Sequence, residues 1–461
     1  MKYLKLFETT ADYTAYVATD YEKPNVSYIL ENGGDVMYNP IPETRLITVF
    51  NVTSTSEPTK IGYYEYISAS TKIEIDGVIQ PSVVSAYTFS TAGEHTVKYT
   101  LADPTQISDY FFYECYNLLS AIISSNVTSI NDFAFCGCSG MTSISIPNSV
   151  TSIGYGAFED CGSLTALSIS NNVESIGELA FLGCSKCLVS ISVESGNPVY
   201  DSRGNCNAII KTQTNELILG CKNTTVPNSV TSIDDSAFSS CSGLTSITVP
   251  NSVTSIGNSA FSGCRGLTSI NIPSGVTSIG NNTFYNCASL TSIDIPSGVT
   301  SIGSQAFYYC SGLTSVVIPS GVTSITSYTF ACCSNLASVT IGSEVTRIGN
   351  YAFSGCTSLT SIDIPNKVTR IGDMAFQYCT SLASINIGSG ITNINACAFQ
   401  NCSSLASIAC NAITAPSIYT TTFQNVKTGG TLYVPSGANY ANWMQNANYY
   451  LGKYSWTKVE Q

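Results

Sequence analysis

Histidine is almost absent from this chain: His95 is the single copy in 461 residues. Away from that residue, no histidine-dependent catalytic triad and no Cys–His metal site can be assembled. Charge is scarce as well. Lysine, arginine, aspartate and glutamate make up 10% of the chain, against about 25% in ordinary soluble domains, so serine, threonine, asparagine and tyrosine must cover the surface. The charges present are 18 basic and 30 acidic, for a net charge of -12 and a pI of 4.5. That balance argues against nucleic acid and anionic membrane surfaces as partners. No apolar run approaches the roughly 18 residues of a bilayer span, so no membrane insertion is expected. The N-terminal stretch MKYLKLFETTADYTAYVATD lacks the apolar core of a Sec signal peptide. The expected location is extracellular, on a cell surface or on a virion, reached by another route, with the cytoplasm as the lesser reading.

Cysteine, by contrast, is plentiful, with 19 copies. Twelve of them follow a phenylalanine by three positions: Cys115, Cys138, Cys161, Cys184, Cys241, Cys264, Cys287, Cys310, Cys333, Cys356, Cys379 and Cys402. The phenylalanines, from Phe112 to Phe181 and from Phe238 to Phe399, recur with a period of about 23 residues. The frame is A/T-F-x-x-C-x-x-L-T-S-I-x-I-P-x-x-V-T-S-I-G. A fixed step of this size is a solenoid turn stacked on its neighbours. A cysteine used once per turn then forms a buried ladder in which the thiol packs as a small apolar group. Scattered disulfides and a metal array are the competing readings, and no pair of C-x-x-C motifs supports the latter.

Within one turn, Leu267, Ile270 and Ile272 lie on a leading strand that Pro273 ends. Val276 and Ile279 form the return, Gly280 allows a corner, and Phe284 with Cys287 fills the back. Between Phe181 and Phe238 the beat is broken by an insertion longer than one period. The added segment, near 194–226, offers strands at 208–210 and 217–219 around Thr214-Asn215, read as a hairpin that extends a strand layer.

The predicted architecture is a β-rich solenoid at 105–424, preceded by two small modules and closed by a C-terminal cap at 425–461. Residues 1–42 read as a small α+β module, with a helix capped at Thr10 and a hairpin about Asn32-Gly33-Gly34-Asp35. Residues 43–104 alternate at period two and suggest a small β-sandwich-like module, a spacer, attachment point or cap. In the C-terminal cap a last strand, a short helix over 438–449 and a closing strand are expected. Its two tryptophans, Trp443 and Trp456, are read as cap core or as a binding platform.

These residues resemble a known family. The unit LTSIxIPxxVTSIGxxAFxxC is similar to the BspA-type leucine-rich repeat of bacterial and protist surface proteins. NPVYDSRGNCNAII…LILGCKNTTVP resembles an insertion common in that family in Bacteroides-like bacteria, and LYVPSGANYANW resembles its C-terminal end. More loosely, KLFETTADYTAYVATDYEKPNVSYI…VMYNP is similar to a leader module on Bacteroides-associated proteins, some of them phage or mobile-element products. The resemblance implies adhesion to host proteins, other bacteria and surfaces, and carries over no catalytic motif.

Two acids stand out on the strand face, Asp294 and Asp363. They are three turns apart, about 14 Å at the spacing of β-strands, too far for paired-carboxylate chemistry. The stretch 201–205 lacks the acid count and spacing of a calcium loop and reads as a turn. No catalytic residue, cofactor site or metal site is predicted. The positions that vary between turns are aromatic: Tyr285, Tyr308, Tyr309, Tyr328, Tyr351 and Tyr378, clustered about the phenylalanine corner. They are either a rim that covers the corner or a patch that binds a partner protein or glycan on a host or neighbouring cell. The resulting expectation is a non-enzymatic adhesion or attachment protein. A phage or mobile-element appendage that recognises a host and an intracellular scaffold are the alternatives. Homo-oligomerisation through the N-terminal modules is compatible with this pattern, and the oligomeric state is not otherwise specified.

Overall fold

In the computed structural model, the residues described are 45–461 and the backbone of an isolated strand pair, Ser27–Tyr28 with Tyr38–Asn39. That pair is antiparallel, Tyr28 opposite Tyr38, as a hairpin about residues 32–35 requires. The helix predicted from Thr10 lies outside the described residues. The chain divides into two compact units, Met1–Gln213 and Thr214–Gln461. Among the described residues, no helix is long and apolar enough to cross a membrane.

The first unit opens with a sheet of the order Val78–Ile79, Ser70–Ile75, Gly93–Leu101, Arg45–Val52. Strand Gly93–Leu101 alternates strictly, burying His95, Val97, Tyr99 and Leu101, which is the period-two pattern of a half-buried strand. A separate short antiparallel pair joins Thr59–Lys60 to Ala86–Tyr87. The sheet is not closed on itself. Arg45–Val52 pairs antiparallel with Leu118–Ile122, the first leading strand of the solenoid, so the module covers the open edge of the first turn. An uncovered edge would expose a row of unpaired N–H and C=O groups.

Solenoid turns then repeat in both units. Leading strands stack in parallel, equivalent residues of successive turns side by side, as in Ser246–Ile247 with Ser269–Ile270. Return strands do the same, as in Ser278–Ile279 with Ser301–Ile302. Between them the proline carbonyl accepts the N–H of the residue three further on, Val276 N to Pro273 O at 3.0 Å. Many of the threonines that open the T-S pairs are also accounted for. Their hydroxyls donate to the carbonyl of the equivalent residue one turn earlier, Thr291 to Thr268 at 3.3 Å and Thr314 to Thr291 at 3.2 Å, and Thr369, which precedes an arginine, does the same to Thr346 at 3.2 Å. Hydrogen bonding between turns thus explains part of the surface's polarity without charge.

The phenylalanine corner carries the core. Phe238, Phe261, Phe284, Phe307, Phe330, Phe353, Phe376 and Phe399 are fully buried. Successive rings are nearly parallel with centroids 5.1–5.7 Å apart, the spacing of offset-stacked pairs. Phe423 comes a residue late yet continues the stack, 5.7 Å from Phe399. In the first unit Phe112, Phe135, Phe158 and Phe181 stack in the same way. Tyr99 closes that stack edge-on, 5.4 Å from Phe112, with its hydroxyl donating to Ile61 O at 2.5 Å.

All 19 cysteines are free thiols, sixteen of them buried. The ladder cysteines are more than apolar filler. Ten of the twelve thiols, all but Cys115 and Cys241, donate to the carbonyl of the phenylalanine one turn earlier, Cys310 to Phe284 O at 3.0 Å and Cys333 to Phe307 O at 3.1 Å. Ten such contacts, between 3.0 and 3.2 Å, recur through the two units. The same carbonyl accepts the backbone N–H of its own turn's cysteine, as Phe284 O does from Cys287 N, so both lone pairs are used. Burial pushes the Cys310 thiol up to about 12, which leaves almost no thiolate at neutral pH. Iodoacetamide at pH 8 is therefore expected to label Cys187, Cys332 and Cys397, the three that are not buried, and the remaining sixteen only after denaturation. Mass-spectrometric detection of fast native labelling at Cys264 or Cys356 would contradict the ladder.

The insertion forms strands at Tyr200–Asp201, Ala208–Lys211 and Glu216–Gly220. Within the first unit, Tyr200–Asp201 pairs antiparallel with Ala208–Lys211. The Tyr200 hydroxyl accepts the Ile176 N–H at 2.9 Å, covering the edge of a return strand. In the second unit Glu216–Gly220 pairs in parallel with Ser232–Ile233 and so starts the return row. The Asp201 carboxylate is engaged by its neighbour, Oδ2 accepting from Arg203 Nη2 at 2.6 Å, consistent with a turn.

The C-terminal cap departs from expectation in one respect. Strands Thr431–Val434 and Thr457–Glu460 extend the leading row, but residues 438–449 form turns, and the cap's helical element is a 3-10 turn, Leu451–Tyr454. Four asparagines lie in that stretch, Asn439, Asn442, Asn446 and Asn448, and asparagine competes with the helix by bonding to nearby backbone. Asn439 Oδ1 accepts from Ala441 N at 3.0 Å, and Asn448 adopts a left-handed conformation. Tyr440 and Trp443 are drawn inward, the tyrosine hydroxyl to Ala412 O at 2.8 Å and the indole N–H to Pro416 O at 3.0 Å. Trp443 packs 5.3 Å from Phe423, and Trp456 is buried with its N–H on Lys427 O. Both tryptophans are cap core.

Candidate functional site

In each turn from Phe112 to Phe399, the residues two before and two after the core phenylalanine take left-handed backbone conformations. Around Phe284 these are Asn282 and Asn286, with φ of 55° and 56°. The alternation turns every second N–H toward the next turn: Phe284 N bonds Ala306 O at 2.8 Å and Asn286 N bonds Tyr308 O at 2.7 Å. Asparagine and glycine suit such positions, whereas a bulky side chain there costs roughly 1–2 kcal/mol. Gly263 and Gly355 occupy the second position in two turns. Tyr309, Tyr328, Tyr351 and Tyr378 occupy left-handed positions in others, with φ between 57° and 60°.

Five of the six predicted tyrosines form one continuous surface in the second unit. Tyr308 stacks on Tyr309 with centroids 4.3 Å apart, and Tyr285 meets Tyr308 edge-on at 5.5 Å. Tyr328 links Tyr308, 5.8 Å away, to Tyr351, on which it lies nearly flat at 4.5 Å and 6°. Tyr309 is 44% exposed, while Tyr285, Tyr308, Tyr328 and Tyr351 are half-buried. A hydrogen bond to Tyr309, reinforced by burial, pushes the Tyr308 hydroxyl up. Burial, together with Tyr328, does the same for Tyr351. These two hydroxyls therefore stay protonated at neutral pH as donors and acceptors. Tyr378 stands apart, 51% exposed.

Asp294 and Asp363 are exposed on the leading strands among serine, asparagine and threonine. His95 is held in the N-terminal sheet, Nδ1 2.7 Å from Asp76 Oδ2 and Nε2 2.9 Å from Thr91 O.

A second aromatic surface, in the first unit, is not foreseen by the repeat pattern. Tyr63 and Tyr66, from the module before the solenoid, meet Tyr110 and Tyr113 of the first turn at 5.3–6.4 Å. Tyr110 stacks on Phe133 of the next turn at 5.0 Å, and Phe133 meets Tyr155 at 5.2 Å. The tyrosine-rich segments GYYEYI and DYFFYECY are legible in the sequence, but they sit far apart in it, at 62–67 and 109–116. Only the antiparallel pairing of the module onto the first turn brings them together.

The repeat has counterparts in known proteins. The profile described as BspA type Leucine rich repeat region matches in six copies, over residues 105–205, 209–337 and 300–430. Among solved structures, a leucine-rich cell surface protein from Faecalibacterium prausnitzii A2-165 is 29% identical, over 66% of this chain and 76% of its own, with a TM-score of 0.44. A leucine-rich repeat protein from Bacteroides ovatus ATCC 8483 is 26% identical, over 85% and 94%, with a TM-score of 0.48. One from Eubacterium ventriosum ATCC 27560 is 23% identical, over 75% and 84%, with a TM-score of 0.47. Curated proteins give no match. Proteins built on this repeat are typically found at the cell surface and are generally non-enzymatic binding scaffolds. The repeat profile, which covers well over half of the residues, and the stacked turns lead to one conclusion: the chain belongs to the BspA-type leucine-rich repeat family.

Proposed function

We propose that this protein is a non-enzymatic adhesion protein that works at a cell surface and engages a protein or glycan partner through the tyrosine strip Tyr285–Tyr308–Tyr309–Tyr328–Tyr351. The observation that carries this reading is the continuity of five tyrosine rings across consecutive turns, on a face where other turns place Ser239, Ser240, Ser262 and Gly263. Tyrosine supplies contact area with little side-chain entropy to lose and a hydroxyl to bond with, which is why it is enriched where partners bind. The serine and threonine columns of the strand face offer hydrogen bonds but little apolar area. The two left-handed tyrosines of the strip's far end, Tyr328 and Tyr351, are held in place against a local conformational cost, as binding residues often are.

The test is a combined Tyr308→Ser, Tyr309→Ser, Tyr351→Ser variant, compared with the parent for binding to whole bacterial and epithelial cells and to a glycan array. At least a tenfold loss of binding is expected, with the thermal melt little changed because the phenylalanine core is untouched. Undiminished binding by a folded variant would remove the strip from consideration.

A further inference from the structure

The first unit contains a cleft of about 480 Å³ on the phenylalanine corner of its first turns, within the size range of small-molecule sites. Its aromatic walls are Tyr110, Tyr113, Tyr116 and Phe133, and its polar lining includes Glu114, Glu159 and Asp160. Among the described residues, no lysine, arginine or histidine lines it. We propose that this cleft is a binding site for an organic cation, the guanidinium or ammonium group of an arginine or lysine side chain on a partner protein.

Three observations converge on that chemistry. Aromatic faces carry negative potential and attract a cation within about 6 Å of the ring centre, and here four rings line one cavity. The same group of rings already holds a cation: Lys60 Nζ lies 4.8 Å from the centroid of Tyr63 and 5.8 Å from that of Tyr113, which itself lines the cleft. Finally, the carboxylates are not engaged by the protein's own cations. Among the described residues, none of Glu114, Glu159 and Asp160 forms an ion pair. Glu159 Oε2 receives only the weak Cys136 thiol, 4.0 Å away. Burial, with the neighbouring Asp160 charge, pushes the Glu159 carboxyl up, an unfavourable balance that an incoming cation reverses. A neutral sugar would use the rings but leave these charges uncompensated. The net charge of -12 also draws basic partners toward the surface.

This site is independent of the tyrosine strip, and its failure would leave the strip reading untouched. The test is a titration of the full-length protein with fluorescein-labelled Gly-Arg-Gly-Arg-Gly peptide, followed by anisotropy, beside the same peptide with citrulline at both arginines. Citrulline keeps the shape and removes the charge. Binding of the citrulline peptide is expected to be at least tenfold weaker. A Glu114→Gln, Glu159→Gln, Asp160→Asn variant should lose at least tenfold in affinity for the arginine peptide. A control of equal charge change in the second unit, Asp294→Asn, Glu344→Gln, Asp363→Asn, should change it less than twofold. A single Tyr116→Ser exchange at a side chain that is 56% exposed should weaken binding severalfold without threatening the fold. Equal binding of the two peptides, or equal losses in the two neutralised variants, would overturn the proposal. So would displacement of the peptide by maltotriose. Tighter binding of spermidine than of the peptide would overturn the assignment to a protein side chain.

Discussion

Above pH 9 the protein is expected to lose stability steeply, on the order of 10 kcal/mol per pH unit once the transition is under way, because many thiols titrate together on unfolding. Eleven of the twelve ladder thiols are pushed above their ordinary value, in each case chiefly by burial. Folded, they keep their protons; unfolded, they release them near pH 8.5–9. The unfolded state then binds fewer protons, and each thiol tilts the balance toward it by about 1.4 kcal/mol per pH unit. A raised pKa means stability that is complete below the unfolded value and is lost as pH rises toward the folded one. The window here runs from about 9 to about 12, the figure reached by Cys115, Cys241, Cys310 and Cys379. Buried Tyr99, also raised by burial, acts in the same direction. The measurement is the urea midpoint at pH 7, 8, 9 and 10 under reducing conditions. A variant with Cys264, Cys287, Cys310 and Cys333 replaced by valine should begin less stable, because four carbonyls lose a donor, and should show a shallower decline. A midpoint unchanged up to pH 10 in the parent would refute the account.

The second large effect concerns the ring stack. Phe307→Ala is expected to cost about 3–5 kcal/mol. Phe307 is fully buried between Phe284 at 5.4 Å and Phe330 at 5.2 Å, so truncation removes two stacked contacts and leaves a cavity with rigid walls above and below. Because each turn contacts mainly its neighbours, the damage should also be local in space. Hydrogen exchange is expected to accelerate most in the turns of Phe284 and Phe330, and little in the first unit. Denaturant unfolding at neutral pH gives the magnitude. A loss below about 1 kcal/mol, far short of a buried-ring truncation, would show that neighbouring rings close the gap or that the stack is not where the stability resides.

Both effects start from residues whose role is only partly visible in the sequence. The regular step places Phe284, Phe307 and Phe330 one above another, since a solenoid position repeats once per turn. The burial of Leu267, Ile270, Ile272, Val276 and Ile279 follows from the same frame. The cysteine ladder could be located in this way, but its hydrogen bonds could not. Whether a thiol reaches the phenylalanine carbonyl of the preceding turn depends on how the corner is bent, and that bend comes from the left-handed residues beside each phenylalanine. The identities at those positions include tyrosine, glutamine, methionine and cysteine as well as glycine and asparagine, so no single residue type signals the conformation.

The candidate surfaces divide along the same line. Tyr285, Tyr308, Tyr309, Tyr328 and Tyr351 are near one another in a periodic frame, and the period alone was enough to place them together. Tyr378 obeys the same period, yet among the described residues it has no ring partner of the kind that joins the other five. The cleft of Tyr110, Tyr113, Tyr116 and Phe133 carries aromatic and acidic residues readable one by one, but its neighbours Tyr63 and Lys60 arrive through the non-periodic sheet. In the cap, the sequence pattern of residues 438–449 suggested a helix, and the side-chain anchors of Tyr440 and Trp443 set turns instead.

By itself, then, the sequence determined the repeat, its register, the buried rows and the absence of charge from the core, because all of these are consequences of periodicity and hydrophobic burial. The tertiary structure alone decided the thiol donors, the left-handed corners, the pairing of Arg45–Val52 onto the first turn and the cleft beside it. Those features depend on contacts between residues that are distant in the chain, and their geometry is set by packing, to which no local pattern of residues is sensitive.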